Sequence, residues 1–254
     1  MIASKSVRFL CQAALALGSF LAAGIAAYGQ GGVPGYPDNL QEYDSREVAL
    51  LPNYCKHTQL FSMRVPGGNN PAEIERWYSI MGPTFKHMHH YCWGLMKTNR
   101  ALLFTRAPQH RTFYLDSSIS EFDYVISYAP RDFILLPEIL TKKGENLIRL
   151  GRASQGALEL LRAIELKPDY WPPYAAVSDY YKEIGEIAKA REWLEKGLSV
   201  TPDVRALKSR LANLEGAKDK RKTAPQRPAN TSAPLLRSEK NAAQPAEPQS
   251  PSEQ

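Results

Sequence analysis

Two short clusters contain the residues whose types and spacing could bind a metal ion or form a disulfide. The first is Cys55-Lys56-His57, and the second is the run from His87 to Trp93, which reads His-Met-His-His-Tyr-Cys-Trp. Cys55, His57, His90 and Cys92 together offer two thiolates and two imidazoles, a ligand set that suits zinc or copper. The first chemistry to consider is therefore a metal site in which the two clusters meet.

Helical geometry limits this metal site. At about 100° per residue, Cys92 faces the apolar stripe of its predicted helix, whereas His87 and His90 face nearly the opposite way. Cys92 and His90 therefore cannot easily share one metal ion. His87 and His90 could share one, but two ligands are fewer than a protein metal site normally uses. A metal held by His87 and His90 is kept as an alternative.

A disulfide and a purely structural role are the other interpretations of these clusters. The chain has three cysteines, and removal of a leader containing Cys11 would leave Cys55 and Cys92 as an even pair. In an oxidising compartment such a pair is expected to form a disulfide. In the structural interpretation, His89 lies near the apolar stripe as a packed histidine, while His87 and His90 are simply exposed.

The sequence contains no motif that indicates an enzyme. Paired carboxylates, a Gly-x-Ser-x-Gly elbow and a phosphate-binding loop are all missing from it, so neither catalysis nor a cofactor is expected. The net charge is +6, but the basic residues are spread along the chain apart from the run at 218–222. Nucleic-acid binders usually concentrate basic residues with exposed aromatics, and we expect no nucleic-acid partner.

The N-terminus has the order of a secretory signal peptide. Lys5 and Arg8 precede an uncharged, mostly apolar stretch from Phe9 to Ala27, and the small residues around Gly29 suit cleavage before Gln30. A periplasmic or secreted protein is predicted. The stretch is also just long enough to span a bilayer, so an anchor that keeps the protein on the membrane is the alternative.

Helix signals and breakers divide the rest of the chain. Asn70-Pro71-Ala72-Glu73 predicts a helix that runs to about Met81. A second helix is predicted from about Thr84 to Phe104, and the capping-box pattern Ser118-x-x-Glu121 predicts the start of a third. The predicted parts are a leader at 1–29, an irregular segment at 30–70, a helical region with a degenerate repeat at 71–134, two repeats with a capping helix at 135–216, and a disordered tail at 217–254.

An internal repeat is the clearest signal. Two segments align at a spacing of 34 residues, with large residues at the first and third positions, small ones at the second, fourth and sixth, and proline at the end. Large residues fill the space between two helices, small ones let them approach, and proline turns the chain into the next unit. The two sets are Leu140, Gly144, Leu147, Gly156, Leu160, Ala163 and Pro168, and Tyr174, Ser178, Tyr181, Ala190, Leu194, Gly197 and Pro202.

This pattern resembles the tetratricopeptide repeat family over residues 135–204, with Ser178 and Gly156 as small-for-small departures. The resemblance implies an all-α fold, a short right-handed α-solenoid of helix pairs at 137–166 and 171–200 with a cap at 203–215. It also implies a concave groove that binds protein partners. The positions that match the groove carry both charge signs: Glu138, Glu145, Arg149, Asp179, Lys182 and Glu183.

Two functions are consistent with these features. The first is an exported scaffold that mediates protein–protein interaction, as an accessory or assembly factor of an envelope complex. The second is a metal- or redox-dependent envelope protein that uses the Cys/His residues at 55–57 and 87–92. Membrane contact is expected only if the N-terminal segment is retained.

Overall fold

The computed structural model describes residues 43–221, and this part of the chain is all-α, with no β-strand in it. The chain divides into two compact units at Pro130 and Arg131. None of the helices in the described part combines the length and the apolar character that a bilayer-spanning segment needs. The predicted leader and nearly all of the predicted disordered tail lie outside the described residues.

The first unit contains four α-helices within 43–130. They are α1 (Ser45–Val48), α2 (Pro71–Met81), α3 (Met88–Asn99) and α4 (Pro108–Tyr128). Two 3-10 turns, Asn53–His57 and Gly82–His87, precede α2 and α3, and a π-helical turn, Arg100–Phe104, follows α3. The second helix, predicted from about Thr84 to Phe104, is thus one continuous helical stretch that changes from 3-10 to α to π geometry along its length. Helix α2 has the predicted bounds.

Local sequence explains the start of α2, whereas α4 starts earlier than predicted. The Asn70 side chain accepts hydrogen bonds from the backbone N–H groups of Ala72 and Glu73, as an N-cap does. The start of a helix at Ser118 is wrong: α4 begins ten residues earlier, at Pro108. The Ser118 hydroxyl donates to the carbonyl oxygen of Leu115 at 2.6 Å, so it bonds back within the helix.

Helices α3 and α4 pack as a pair around one close contact. A Cβ atom added to Gly94 would lie 2.3 Å from the Phe122 ring, so only glycine fits between the two helices there. A disulfide, a hydrogen bond and an ion pair tie the segment before α2 to α3 and the turn that follows it. Cys55 and Cys92 pair with their Cα atoms 5.7 Å apart, the Trp93 indole N–H donates to the Tyr43 hydroxyl at 2.9 Å, and the Glu47 carboxylate meets the Arg100 guanidinium just beyond the end of α3.

The Cys55–Cys92 pairing agrees with the prediction made from the cysteine count. Both side chains are fully buried, so the pair has no exposed sulfur for exchange with other thiols. Peptide mapping of the purified protein without reductant should recover the peptides that contain residues 55 and 92 as one linked species. The same digest after reduction is the control. Two free thiols in the unreduced sample would contradict the pairing.

The second unit consists of two helix pairs and a final helix. The pairs are α5 (Leu136–Arg149) with α6 (Ala153–Leu166), and α7 (Pro172–Glu183) with α8 (Ile187–Val200), and the final helix is α9 (Arg205–Arg221). The predicted pairs at 137–166 and 171–200 are confirmed to within one residue of their outer bounds. The final helix extends past Gly216, where the disordered tail was predicted to begin.

The small residues of the repeat lie where two helices approach. A Cβ on Gly144 would lie 2.8 Å from the carbonyl oxygen of Gly156, and a Cβ on Gly156 would lie 2.6 Å from that of Gly144. Both pairs also turn in the same way, because Gly151 and Gly185 take left-handed φ angles of 77° and 84° at the helix ends. The 34-residue spacing therefore recurs in the turns as well as in the packing.

A single apolar core joins the second pair to α9. Leu207 and Leu214 from α9 are almost fully buried against Tyr181, Ala190 and Leu194. The half-buried Leu211 packs on the same core. The final helix thus covers the last helix pair, as the sequence predicted for a cap.

Candidate functional site

The strongest candidate site is a cleft between α5 and α7, the first helices of the two pairs. Four of the six predicted groove residues line it, namely Glu145, Arg149, Asp179 and Glu183. Glu138 and Lys182 are not among the lining residues. The cleft has a volume of about 90 Å³, well below the roughly 300–1,000 Å³ of small-molecule pockets. It has room for one side chain of a partner.

The floor of the cleft is apolar. Ile148 from α5, and Ala176 and Tyr180 from α7, line it and pack against the core of the unit. Prediction from the sequence missed these three residues because it considered only charged positions. Helical spacing could have predicted two of them, because Ala176, Asp179 and Tyr180 fall at positions i, i+3 and i+4 on one face of α7.

The charged rim of the cleft is largely paired within the protein. The Glu145 carboxylate lies 3.5 Å from the Arg149 guanidinium and 3.4 Å from the Lys142 ammonium group. The Asp179 carboxylate lies 3.3 Å from the Arg210 guanidinium of α9. Glu183 makes no ion pair within the described part of the chain. Three carboxylates face one arginine around the cleft, so its lining is acidic on balance.

Tyr170 lies in the connection between α6 and α7, where the carboxylates of Glu138 and Glu145 act on its hydroxyl group. Burial of its hydroxyl raises the pKa of Tyr170 well above its ordinary value, and the carboxylates of Glu138 and Glu145 raise it further. Burial disfavours a charge of either sign at this place, whereas the two carboxylates disfavour only a negative one. With three carboxylates and one guanidinium group among its lining residues, the cleft favours a cationic group and disfavours an anionic one.

The histidine cluster of the first unit is built into the contact between α4 and the helical stretch of α3. The ring of His87 stacks on Tyr128 at 4.1 Å between centroids, and the ring of His90 stacks on Tyr124 at 3.7 Å. His90 donates from Nδ1 to the Glu121 carboxylate at 2.6 Å. His87 and His90 are therefore half-buried and packed, whereas the structural interpretation expected them to be exposed.

His89 is a packed histidine, as the structural interpretation expected. Its Nδ1–H donates to the carbonyl oxygen of Lys86 at 3.0 Å, and its ring lies edge-on to Trp93. Burial, followed by the nearby His90, lowers the pKa of His89 to about 4. This ring is therefore neutral at pH 7 and serves packing.

The described residues do not bring together the ligands of the proposed metal site. No group of three or more His, Cys, Asp or Glu side chains between residues 43 and 214 could hold a metal ion. Cys55 and Cys92 bond to each other, and the Nδ1 atom of His57 pairs with the carbonyl oxygen of Gly68 at 2.8 Å. His87 and His90 are left as two imidazoles without a third ligand of these types.

The cleft between α5 and α7 offers a partner both an apolar floor and the unpaired carboxylate of Glu183. Comparisons of the chain with protein-family models, with curated proteins and with solved structures found no match.

Proposed function

We propose that this chain is an exported scaffold of the tetratricopeptide type, and that the cleft between α5 and α7 holds a segment of another protein. The observation that carries the proposal is the cleft itself, with an apolar floor of Ile148, Ala176 and Tyr180 beneath an acidic rim. The segment it suits has a lysine or arginine beside an apolar side chain. Such a segment would place its charge near Glu183 and its apolar group on the floor.

The repeated architecture supports a binding role. Two helix pairs with matching turns at Gly151 and Gly185 place α5 and α7 side by side, so their facing residues form one continuous surface. Solenoids of stacked helix pairs bind partners on such surfaces. With an export leader predicted at 1–29, the partner belongs to the envelope, and the proposed role is assembly of an envelope complex.

Site-specific crosslinking in the native host tests this function. A photoreactive amino acid in place of Tyr180 should give a defined adduct with one protein, whereas the same amino acid in place of the exposed Glu195 on α8 should give none. Once the partner is known, its segment is bound as a synthetic peptide. A segment without a basic residue would contradict the proposed specificity.

Charge reversal at the rim is expected to weaken this binding selectively. Glu183→Lys should reduce peptide affinity about tenfold, the effect of losing about 1.4 kcal/mol, because a like charge replaces the unpaired carboxylate. Glu195→Lys makes the same charge change on α8 and should leave the affinity unchanged. Titration calorimetry with both variants measures the difference. Equal affinities for the two would place the binding site elsewhere.

A further inference from the structure

A second surface lies at the end of the α3–α4 pair, in the first unit. Its three large apolar side chains are Leu103, Phe104 and Phe113, which are 62%, 50% and 48% exposed. We call residues 103–113 the apolar tip. Leu103 and Phe104 are neighbours in the turn after α3, and α4, which carries Phe113, packs against this turn. Exposed apolar side chains on adjoining elements mark contact sites more often than scattered ones do.

Local backbone structure explains why these side chains point outward. The π-helical turn Arg100–Phe104 carries one extra residue per turn and shifts the apolar register of α3. As a result Ala101 and Arg100 are buried, whereas Leu103 and Phe104 are exposed. Leu102, between the two pairs, is half-buried. Phe113 lies in the second turn of α4, with its ring 5.7 Å from that of the buried Tyr114.

The charged residues between positions 97 and 115 have one sign. From Lys97 to Leu115 the sequence has four lysines and arginines and no aspartate or glutamate. Lys97 is paired with Glu121, and Arg100 is paired with Glu47. Arg106 and Arg111 are exposed and make no ion pair within the described part of the chain. The tip therefore combines two unpaired guanidinium groups with three exposed apolar side chains.

We propose that the apolar tip docks on the surface of an anionic lipid bilayer. Leu103, Phe104 and Phe113 would enter the boundary between headgroups and acyl chains, and Arg106 and Arg111 would contact lipid phosphates. Charge complementarity selects this partner, because unpaired cations suit an anionic surface. The aliphatic Leu103 adds apolar area that suits hydrocarbon and could not stack on a nucleic-acid base. The proposal concerns the first unit and is independent of the cleft.

The test must report on the tip itself, because the apolar residues 9–27 could bring the chain to vesicles by themselves. We therefore place an environment-sensitive fluorophore on Thr112→Cys in the full chain with Cys11→Ser. The matched label is on Ser127→Cys, which lies about 22 Å further along the same helix. Vesicles contain phosphatidylglycerol and phosphatidylcholine in equal parts, and pure phosphatidylcholine vesicles are the comparison.

The expected result is a blue shift of the Thr112 label with anionic vesicles and none of the Ser127 label. Arg106→Gln with Arg111→Gln should weaken this response about 25-fold, about fivefold for each arginine. Leu103→Ser, Phe104→Ser and Phe113→Ser together should abolish it. These side chains are exposed, so circular dichroism should confirm an unchanged fold in both variants.

Three outcomes would overturn the proposal. The first is an equal response from both labels, which would assign vesicle binding to another part of the chain. The second is a response to pure phosphatidylcholine that the arginine variant does not change. The third is a blue shift without vesicles that rises with protein concentration, which would show that a second copy of the chain covers the tip.

Discussion

Truncation after Pro202 is expected to unfold the second unit, whereas truncation after Arg221 should leave its stability unchanged. The first truncation removes α9 and with it Leu207 and Leu214, which are almost fully buried, and the half-buried Leu211. Burial of each leucine contributes about 1.5–3 kcal/mol. Their combined loss approaches the total stability of a typical domain, about 5–15 kcal/mol.

The effect extends beyond the residues that are removed. A Cβ atom added to Gly197 would lie only 2.9 Å from the Leu207 side chain, so α9 packs directly against the last helix pair. Without it, Leu194 and Tyr181 would face water. Hydrogen exchange measured on peptides from 136–200 should then rise strongly, while exchange in 71–128 stays as it is in the full chain.

Point variants in the full chain separate loss of the cap from damage by truncation. Leu207→Ala should cost about 2–5 kcal/mol, because it leaves a cavity in the core. Lys208→Ala, on the exposed face next to it, is the matched control and should change stability little. If the chain that ends at Pro202 melts like the chain that ends at Arg221, α9 does not cover the core.

The sequence predicts the second unit well because its information is local and periodic. Gly144 and Gly156 can be recognised as close-approach positions by their spacing alone, and the structure places each against the carbonyl oxygen of the other. The turn glycines 151 and 185 repeat at the same spacing and were also open to prediction. The groove positions predicted from the family resemblance include four residues that line the cleft and two, Glu138 and Lys182, that do not. Considering apolar residues on the same helix faces would have added Ile148, Ala176 and Tyr180.

The first unit was harder to predict because its determinants are distant in sequence or ambiguous. Ser118-x-x-Glu121 fits a capping box, but the upstream residues Tyr114 and Leu115 are buried on the same helix and extend it. Arg100 is buried, and the carboxylate that makes its burial possible lies at Glu47, 53 residues away. No local pattern connects the two residues.

Glu47→Ala is expected to be the most destabilising single substitution in the first unit. The two carboxylate oxygens of Glu47 accept hydrogen bonds of 2.6 Å from two guanidinium nitrogens of Arg100, and both side chains are less than 10% exposed. Removal of one partner leaves a buried charge without compensation, which costs about 3–5 kcal/mol. For a unit of this size the melting temperature should fall by at least ~12 °C.

Two further variants show whether the missing charge partner causes this loss. Glu75→Ala removes an exposed carboxylate from α2 and should leave the melting temperature nearly unchanged. Glu47→Leu with Arg100→Met removes both charges while keeping apolar volume, and it should recover most of the stability that Glu47→Ala loses. Thermal denaturation followed by circular dichroism measures all three. If the double variant is as unstable as Glu47→Ala, lost packing rather than an unpaired charge explains the loss of stability. If Glu47→Ala is as stable as the wild type, the Glu47–Arg100 pair is hydrated in solution.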